Sequence, residues 1–233
     1  MNLKLLHIFL LSTAGTFLLC TPFINTVELA NGLVTGKMCW FHLAMLFFSV
    51  CVFFVMLTKK GTVIAFTFSD PLVLFFAGGV LITYKWNLNP EPEKLIFAGQ
   101  LVILWFLLRY VLTAYREFKF FFLFVLMFTG LIEAVWGMQQ LHGYSHSNHS
   151  LFRLTGSFFN PGPYSGYIAV ILPVCLWTAL RFQKGMHYFA WICVGAILIV
   201  LPAGMSRSAW IAAVVACGWV YWTERIGEDE SCI

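Results

Sequence analysis

The stretch CWFHLAMLFFSVCVFFVMLT, residues 39–58, runs for twenty residues without one formally charged side chain. A helix needs about 20 mostly apolar residues to cross the hydrocarbon core of a bilayer. Irregular backbone cannot face lipid there, because its N–H and C=O groups would have no hydrogen-bond partner. This stretch therefore predicts a membrane-spanning helix.

Seven other apolar stretches have a similar length, and we predict that they also span the membrane. The eight predicted spans are 4–24, 39–58, 63–84, 94–114, 118–140, 164–181, 187–204 and 206–223. Hydrophobic residues make up 61% of the chain and charged residues 10%, against about 45–50% and about 25% in soluble domains. The fold class that we expect is all-α: a polytopic integral membrane protein with about eight transmembrane helices in a lipid bilayer.

The first apolar stretch also resembles a secretory signal, because Lys4 precedes it. No small-x-small cleavage site follows, and the seven further spans favour a helix that is retained. The seven cysteines are scattered and include no CxxC pair. They predict neither a disulfide framework nor a zinc site.

Basic residues in short loops collect on the cytoplasmic side of a membrane. With a cytoplasmic N-terminus, nine of them lie inside: Lys4, Lys59, Lys60, Arg109, Arg116, Lys119, Arg181, Lys184 and Arg225. Five lie outside: Lys37, Lys85, Lys94, Arg153 and Arg207. This bias predicts that both termini are cytoplasmic. It also accounts for the formal net charge of +4, so no nucleic-acid partner is expected.

We divide the chain into three regions, which are N-terminal transmembrane helices (1–117), a second helical region (118–223) and a cytoplasmic tail (224–233). The second region contains a polar loop, 141–163, which the charge bias places outside. A connection of this length is more often functional or mobile than a plain link. The loop therefore draws attention as a functional segment.

Three histidines of this loop, His142, His146 and His149, have spacings that would align them on a helix. Glycine and serine residues between them argue against a helix, and no carboxylate accompanies them. We therefore predict no metal site and no cofactor. Elsewhere, Ser69-Asp70-Pro71 reads as a helix start, in which Ser69 or Asp70 caps the helix. The alternative for Asp70 is an ion-carrying role.

Glu133, Gly137 and Gln140 are spaced so that they share one face of the fifth helix. An ionisable group within a span usually faces the bundle interior or a wet cavity. Glu133 is therefore either a structural carboxylate or a functional one, with Arg153 as a candidate neighbour.

Arg207 stands in the first turn of the last helix, where a cation conflicts with the helix dipole. A bound anion would remove that conflict, and Arg is suited to forked contacts with phosphate. The alternative for Arg153 and Arg207 is that they reach toward lipid headgroups.

Four segments together are similar to a known family: Ile132–Gln140 (IEAVWGMQQ), Phe152–Pro161 (FRLTGSFFNP), Tyr164–Tyr167 (YSGY) and Ser206–Trp210 (SRSAW). In this order and at these spacings they resemble the O-antigen ligase and Wzy polymerase superfamily of membrane glycosyltransferases. The resemblance covers about a third of the chain.

The resemblance implies a membrane core like that of the GT-C glycosyltransferases, in the bacterial inner membrane. It also implies an activity, the transfer of a glycan from an undecaprenyl diphosphate carrier to an acceptor at the periplasmic face, without a metal. The acceptor would be a glycolipid, a glycan or a protein. By this likeness Arg153 and Arg207 would bind the diphosphate, and Glu133, Gln140, Asn160 and Tyr164 would line the cavity.

One departure concerns catalysis. The family has further helices and a periplasmic loop downstream, with a His that activates the acceptor, and this chain has no His after His187. We therefore identify no catalytic residue. We regard the core as partial and the chain as C-terminally truncated, and we expect it to keep carrier binding more readily than transfer activity. Two alternatives stay open: a non-catalytic membrane protein or transporter, and an inactive remnant of a ligase gene.

Overall fold

The computed structural model describes residues 3–26, 32–59, 61–62, 67–87 and 91–230, without the side chains of 225–230. Every regular element in these ranges is helical. The α-helices are α1 Leu3–Leu19, α2 Gly32–Thr58, α3 Ser69–Trp86, α4 Pro92–Ala114, α5 Arg116–Leu141, α6 Pro161–Arg181, α7 Gly185–Val200 and α8 Arg207–Glu230. Single 3-10 turns occupy Thr21–Phe23 and Pro202–Gly204. The all-helical prediction is confirmed for the described part of the chain.

Five helical segments are long and apolar enough to cross a membrane: Gly32–Thr58, Pro92–Ala114, Arg116–Leu141, Pro161–Arg181 and Gly185–Gly204. Helix α1 is apolar but has only 17 residues. Large apolar side chains on these helices are exposed, as Phe53 and Leu57 on α2 are at 61% and 64%. Such exposure over whole helices suits lipid better than water, and it supports a multi-pass membrane protein.

Helix α2 begins at Gly32, seven residues before the predicted span 39–58. Lys37 lies between these two positions, within α2. In the structure its ammonium donates hydrogen bonds to the carbonyl oxygens of Pro22 and Ile24. These contacts satisfy the charge, so the helix continues through it.

The other helix ends follow local chemistry. Helix α7 ends at Val200 because Pro202 has no N–H to continue it. Helix α8 continues to Glu230, so the first residues of the predicted tail are helical. Helix α4 begins at Pro92, whose fixed φ suits the first turn of a helix. Lys60, which the charge count places inside, lies outside the described ranges.

The chain divides into two compact units. The first comprises residues 1–18 and 38–122, and the second comprises 19–37 and 123–233. The first unit has a core of α1, α2, α4 and α5 side chains that includes Leu11, Phe48, Val52, Val111 and Phe118. In the second unit, α6 packs against both α7 and α8, around Ile168, Leu172, Cys175, Cys193 and Ile197.

Polar contacts in the first unit join helix ends. The Nζ of Lys4 lies 2.6 Å from Oε1 of Glu117, at the starts of α1 and α5. Lys59, just after α2, donates to the carbonyl oxygen of Ala114 at the end of α4. Arg109, near the end of α4, pairs with Asp70 at the start of α3. These contacts place alternate helix ends together, as in an up-and-down arrangement.

The structure corrects the capping prediction for Asp70. Helix α3 does start at Ser69, but the residue before it is Phe68, and no side chain caps the helix. Asp70 is 1% exposed and pairs with Arg109, while Nε1 of Trp105 and the backbone N–H of Thr67 donate to its carboxylate at 3.0 and 2.7 Å. Trp105 and Arg109 lie 35 and 39 residues from Asp70, so local spacing could not reveal them. Asp70 is a buried structural carboxylate.

We predict that Asp70→Ala destabilises the first unit by about 3 kcal/mol, because it leaves the charge of Arg109 without its carboxylate. Equilibrium unfolding in mixed micelles measures the change. The matched control is Glu91→Ala, which removes an exposed carboxylate bonded to Lys94 at 2.9 Å and should cost less than about 1 kcal/mol. Equal effects of the two substitutions would contradict the structural role of Asp70.

Candidate functional site

The side chain of Gln140, near the end of α5, fastens the loop that follows it. Its Oε1 accepts the backbone N–H groups of Thr155 and Gly156 at 2.9 and 2.8 Å. Its Nε2 donates to the carbonyl oxygens of His146 and Gly156, both at 3.1 Å. All four hydrogen-bonding positions of the amide are thus used, and the loop is held against the helix at two places.

Glu133, two turns earlier on the same face, binds the next part of the loop. Its Oε2 accepts the backbone N–H of Ser157 at 3.0 Å. The hydroxyl of Ser157 in turn donates to the carbonyl oxygen of Pro22 at 2.6 Å, and Pro22 also accepts from Lys37. Glu133 is fully buried. Its carboxylate accepts a hydrogen bond from the loop backbone at Ser157. The candidate neighbour Arg153 makes no ion pair with it among the described residues.

Tyr164 is also fully buried and fills the space between α5 and the loop. Its hydroxyl donates to the carbonyl oxygen of Glu133 at 3.2 Å. A Cβ at Gly137 would overlap that hydroxyl, and a Cβ at Gly156 would overlap both the Tyr164 ring and the Glu133 carboxylate. Gly156 also has φ of +55°, a conformation that favours glycine. Both glycines therefore permit the close approach of loop and helix.

Side chains within the loop complete its hydrogen bonding. The amide Nδ2 of Asn148 donates to the carbonyl oxygens of Gly156 and Phe158 at 3.1 and 3.0 Å. The hydroxyl of Thr155, which is buried, lies 3.2 Å from both the Ser147 hydroxyl and the backbone nitrogen of Asn148. The loop is non-helical between α5 and α6, and the side chains of Thr155 and Asn148 supply hydrogen-bond partners to its backbone in addition to those from α5.

The loop and the end of α5 enclose an open cavity of about 650 Å³, which we call the loop cavity. Its twelve lining residues are Gln140, Leu141, His142, Gly143, Ser145, His146, Ser147, His149, Ser150, Leu151, Phe152 and Arg153. They include one guanidinium group, three imidazoles and three hydroxyls, and none of the twelve is acidic. A cavity with this lining suits an anionic group.

Two of the imidazoles have tautomers set by backbone contacts. Nδ1 of His142 lies 2.8 Å from the carbonyl oxygen of Met138. Because a carbonyl only accepts, Nδ1 carries the proton and Nε2 of a neutral ring keeps a lone pair. The backbone N–H of Leu151 donates to Nδ1 of His149 at 3.1 Å, so Nε2 carries the proton in that ring. The loop cavity thus contains an acceptor imidazole and a donor imidazole.

The six residues selected from the sequence are not all brought together. Gln140 and Arg153 line the loop cavity, whereas Glu133 and Tyr164 are buried and do not line it. Asn160 is exposed before α6 and makes no capping bond. Arg207 is exposed at the start of α8, where its neighbours Ser206 and Ser208 line a separate groove of about 470 Å³.

Four further residues shape this site although no sequence pattern indicated them: Lys37, Pro22, Ser157 and Asn148. The only signal for Lys37 was a lone charge before an apolar run, and Pro22 acts through its carbonyl oxygen, which no side-chain pattern reports.

In the described part of the chain, no three His, Cys, Asp or Glu side chains are placed to hold one metal ion.

Comparisons with known proteins found no matching family model, no matching curated protein and no matching solved structure. The resemblance of the four segments to the O-antigen ligase superfamily therefore stays a prediction.

We predict that Gln140→Ala frees the loop, because four backbone hydrogen bonds lose their partner at once. Hydrogen–deuterium exchange at the amides of Thr155 and Gly156 should rise by about tenfold or more, since each lost hydrogen bond is worth about 1 kcal/mol. The control is Gln139→Ala, which changes the exposed neighbouring amide. Unchanged exchange at residues 155–156 in Gln140→Ala would contradict the fastening role.

Proposed function

We propose that the loop cavity binds the diphosphate of a lipid-linked glycan, as in the O-antigen ligase and polymerase superfamily. The observation that carries this proposal is the position of Arg153. It is exposed and lines the loop cavity, whose twelve lining residues include no acid. Among the described residues it has no carboxylate partner, so its guanidinium group is available to an anionic ligand.

Electrostatics favours a diphosphate over a neutral ligand in this cavity. The Arg153 fork can form two parallel hydrogen bonds to phosphate oxygens. The Nε2–H of His149 adds a neutral donor, fixed by the Leu151 N–H. Serine hydroxyls on the lining can donate as well. A leaving diphosphate gains negative charge as the glycosidic bond breaks, and preorganised donors of this kind stabilise such charge.

Arg207 would act as a second cation for the same carrier. It opens α8 and is exposed. The groove beside it contains Gly162, Gly166 and Ala212, and an apolar surface of this kind is compatible with the hydrocarbon part of a lipid carrier. A phosphate near Arg207 would also relieve the unfavourable placement of a cation in the first helical turn.

The setting of this proposal is a bacterial inner membrane, with both termini cytoplasmic and the loop cavity on the periplasmic side. Eight spanning helices and a partial GT-C-like core belong to it. The resemblance supports this setting, and so does the bias of basic residues toward one set of loops. The acceptor would be a glycolipid, a glycan or a protein.

Transfer also requires a base that takes the proton of the acceptor hydroxyl. The family's downstream His has no counterpart in this sequence. Within the loop cavity, the neutral ring of His142 has its lone pair on Nε2. We therefore propose carrier binding as the function of this chain, with transfer dependent on His142 or on groups outside residues 1–233.

We predict that Arg153→Ala weakens binding of undecaprenyl diphosphate by about 10-fold to 100-fold, because a hydrogen bond to a charged group is worth about 1.5–3 kcal/mol. Arg207→Ala should weaken it in the same direction. Binding to the purified protein in a neutral detergent is compared for undecaprenyl diphosphate and undecaprenol, and the substitutions should reduce only the preference for the diphosphate.

The matched control is Arg181→Ala. This arginine is also exposed and belongs to the same unit, but it lies at the end of α6, 3.7 Å from Glu224. Its substitution should leave the preference unchanged. The proposal fails if the Arg153→Ala variant binds undecaprenyl diphosphate as tightly as the unsubstituted protein does. It also fails if the unsubstituted protein does not bind undecaprenyl diphosphate more tightly than undecaprenol.

A second candidate function, ion or solute transport, draws on Glu133. Its Oε1 is buried and has no hydrogen-bond partner among the described residues, and a carboxylate in such a place within a spanning helix is often functional. Uptake by proteoliposomes that is lost in Glu133→Gln would favour transport. Carrier-dependent glycan transfer by the same preparation would favour the first proposal.

A further inference from the structure

A second cavity, of about 550 Å³, lies in the first unit where the start of α1, the end of α2 and the junction of α4 and α5 meet. We call it the basic end cavity. Its lining includes three basic side chains, Lys4, Lys59 and Arg116, and one acidic side chain, Glu117. Neither the loop cavity nor the proposed carrier site involves any of these residues.

The charges of the basic end cavity do not cancel. Lys4 and Glu117 neutralise each other through their contact at 2.6 Å. Lys59 donates to the carbonyl oxygen of Ala114 and lies 4.1 Å from the centre of the Tyr115 ring. An ammonium group has three donors, so Lys59 keeps capacity for a further acceptor. Arg116 is exposed and makes no ion pair among the described residues. Two cations therefore remain for an anion.

A buried histidine makes the floor of this cavity rigid. His7 is 2% exposed, and its Nδ1 and Nε2 lie 2.5 Å from the Tyr115 hydroxyl and 2.8 Å from the Thr58 hydroxyl. Thr58 donates its own proton to the carbonyl oxygen of Phe54 at 2.7 Å, so Nε2 of His7 donates to Thr58. Nδ1 then accepts from Tyr115. Both nitrogens of the neutral His7 ring are therefore hydrogen-bonded. His7 thereby fixes the position of Tyr115, over whose ring Lys59 lies.

The surroundings of the cavity are apolar. Leu3 lines it and is 47% exposed, and Leu57, next to the lining residue Thr58, is 64% exposed. Helices α2, α4 and α5, whose ends form the cavity, are each long and apolar enough to span a membrane. The cavity therefore lies at the level where a spanning helix leaves the hydrocarbon, which is the level of lipid headgroups. Basic pockets between helices at this level can bind anionic headgroups.

We infer that the basic end cavity binds the headgroup phosphate of an anionic phospholipid. Lys59 and Arg116 contact the phosphate, and the acyl chains lie along the exposed leucines of α1 and α2. The ligand chemistry, a phosphate with negative charge, is shared with free phosphate. The adjoining apolar surface favours the lipid, because a free anion would make no use of it.

The test uses the purified full chain in a neutral detergent, with dioctanoyl phosphatidylglycerol or dioctanoyl phosphatidylcholine added. Binding is measured by the shift of the thermal unfolding midpoint with lipid concentration. We expect the unsubstituted protein to bind phosphatidylglycerol, which is anionic, more tightly than phosphatidylcholine, which is zwitterionic. Arg116→Ala should weaken binding of the anionic lipid by about fivefold, because each cation near an anionic surface contributes about 1 kcal/mol. The double variant Lys59→Ala/Arg116→Ala should weaken this binding by about 25-fold.

Arg116→Ala removes an exposed side chain, so it leaves the fold intact. The control is Lys94→Ala, which removes an exposed cation of the same unit at the start of α4, and it should leave both affinities unchanged. The inference is overturned if Arg116→Ala and the double variant keep the full preference for the anionic lipid. It is also overturned if inorganic phosphate or glycerol 3-phosphate displaces the lipid at equal concentration, since the site would then bind a free anion.

Discussion

Gln140 accepts two backbone N–H groups and donates to two backbone carbonyls of the loop that follows its helix. A non-helical segment beside apolar helices cannot leave such groups unpaired, because neither lipid nor apolar side chains can replace water as a partner. The side-chain amide of Gln140 therefore supplies the backbone hydrogen bonds that an adjacent β-strand would supply in a sheet. Glu133 and Asn148 bond the backbone of residues 156–158 in the same way. These bonds hold in place the loop that lines the loop cavity.

The helices could be predicted from the sequence because each apolar run is a local signal of sufficient length. The shared face of Glu133, Gly137 and Gln140 was also a local signal, and the structure turns that face toward the loop. The partners of those residues could not be predicted. Ser157 is 24 residues from Glu133, and Pro22 is 135 residues from Ser157, so no spacing rule connects them. Helix α2 also starts seven residues before the predicted span, and the carbonyl oxygens that bind Lys37 in this extension lie 13 and 15 residues away in the sequence.

Charge counts from the sequence combine residues with different tasks. Arg109 was counted as a loop cation, but it satisfies the buried carboxylate of Asp70. Lys37 was counted in an outside loop, but it lies within α2 and binds the carbonyl oxygens of the 3-10 segment. Arg153 and Arg116 are different, because each is exposed beside a cavity with little acid. A cation already paired with a carboxylate stabilises the fold, whereas one that faces a cavity without a partner can serve a ligand.

The saturated amide of Gln140 also restricts which side chain can stand at that position. Glutamate has nearly the same shape, with an oxygen in place of the NH₂ group, so it would fit this position sterically. An ionised carboxylate has no N–H to offer, and it would turn lone pairs toward the carbonyl oxygens of His146 and Gly156. Deamidation, a chemical change of about one mass unit, would therefore convert an attraction into a repulsion and place a negative charge on the wall of an otherwise acid-free cavity.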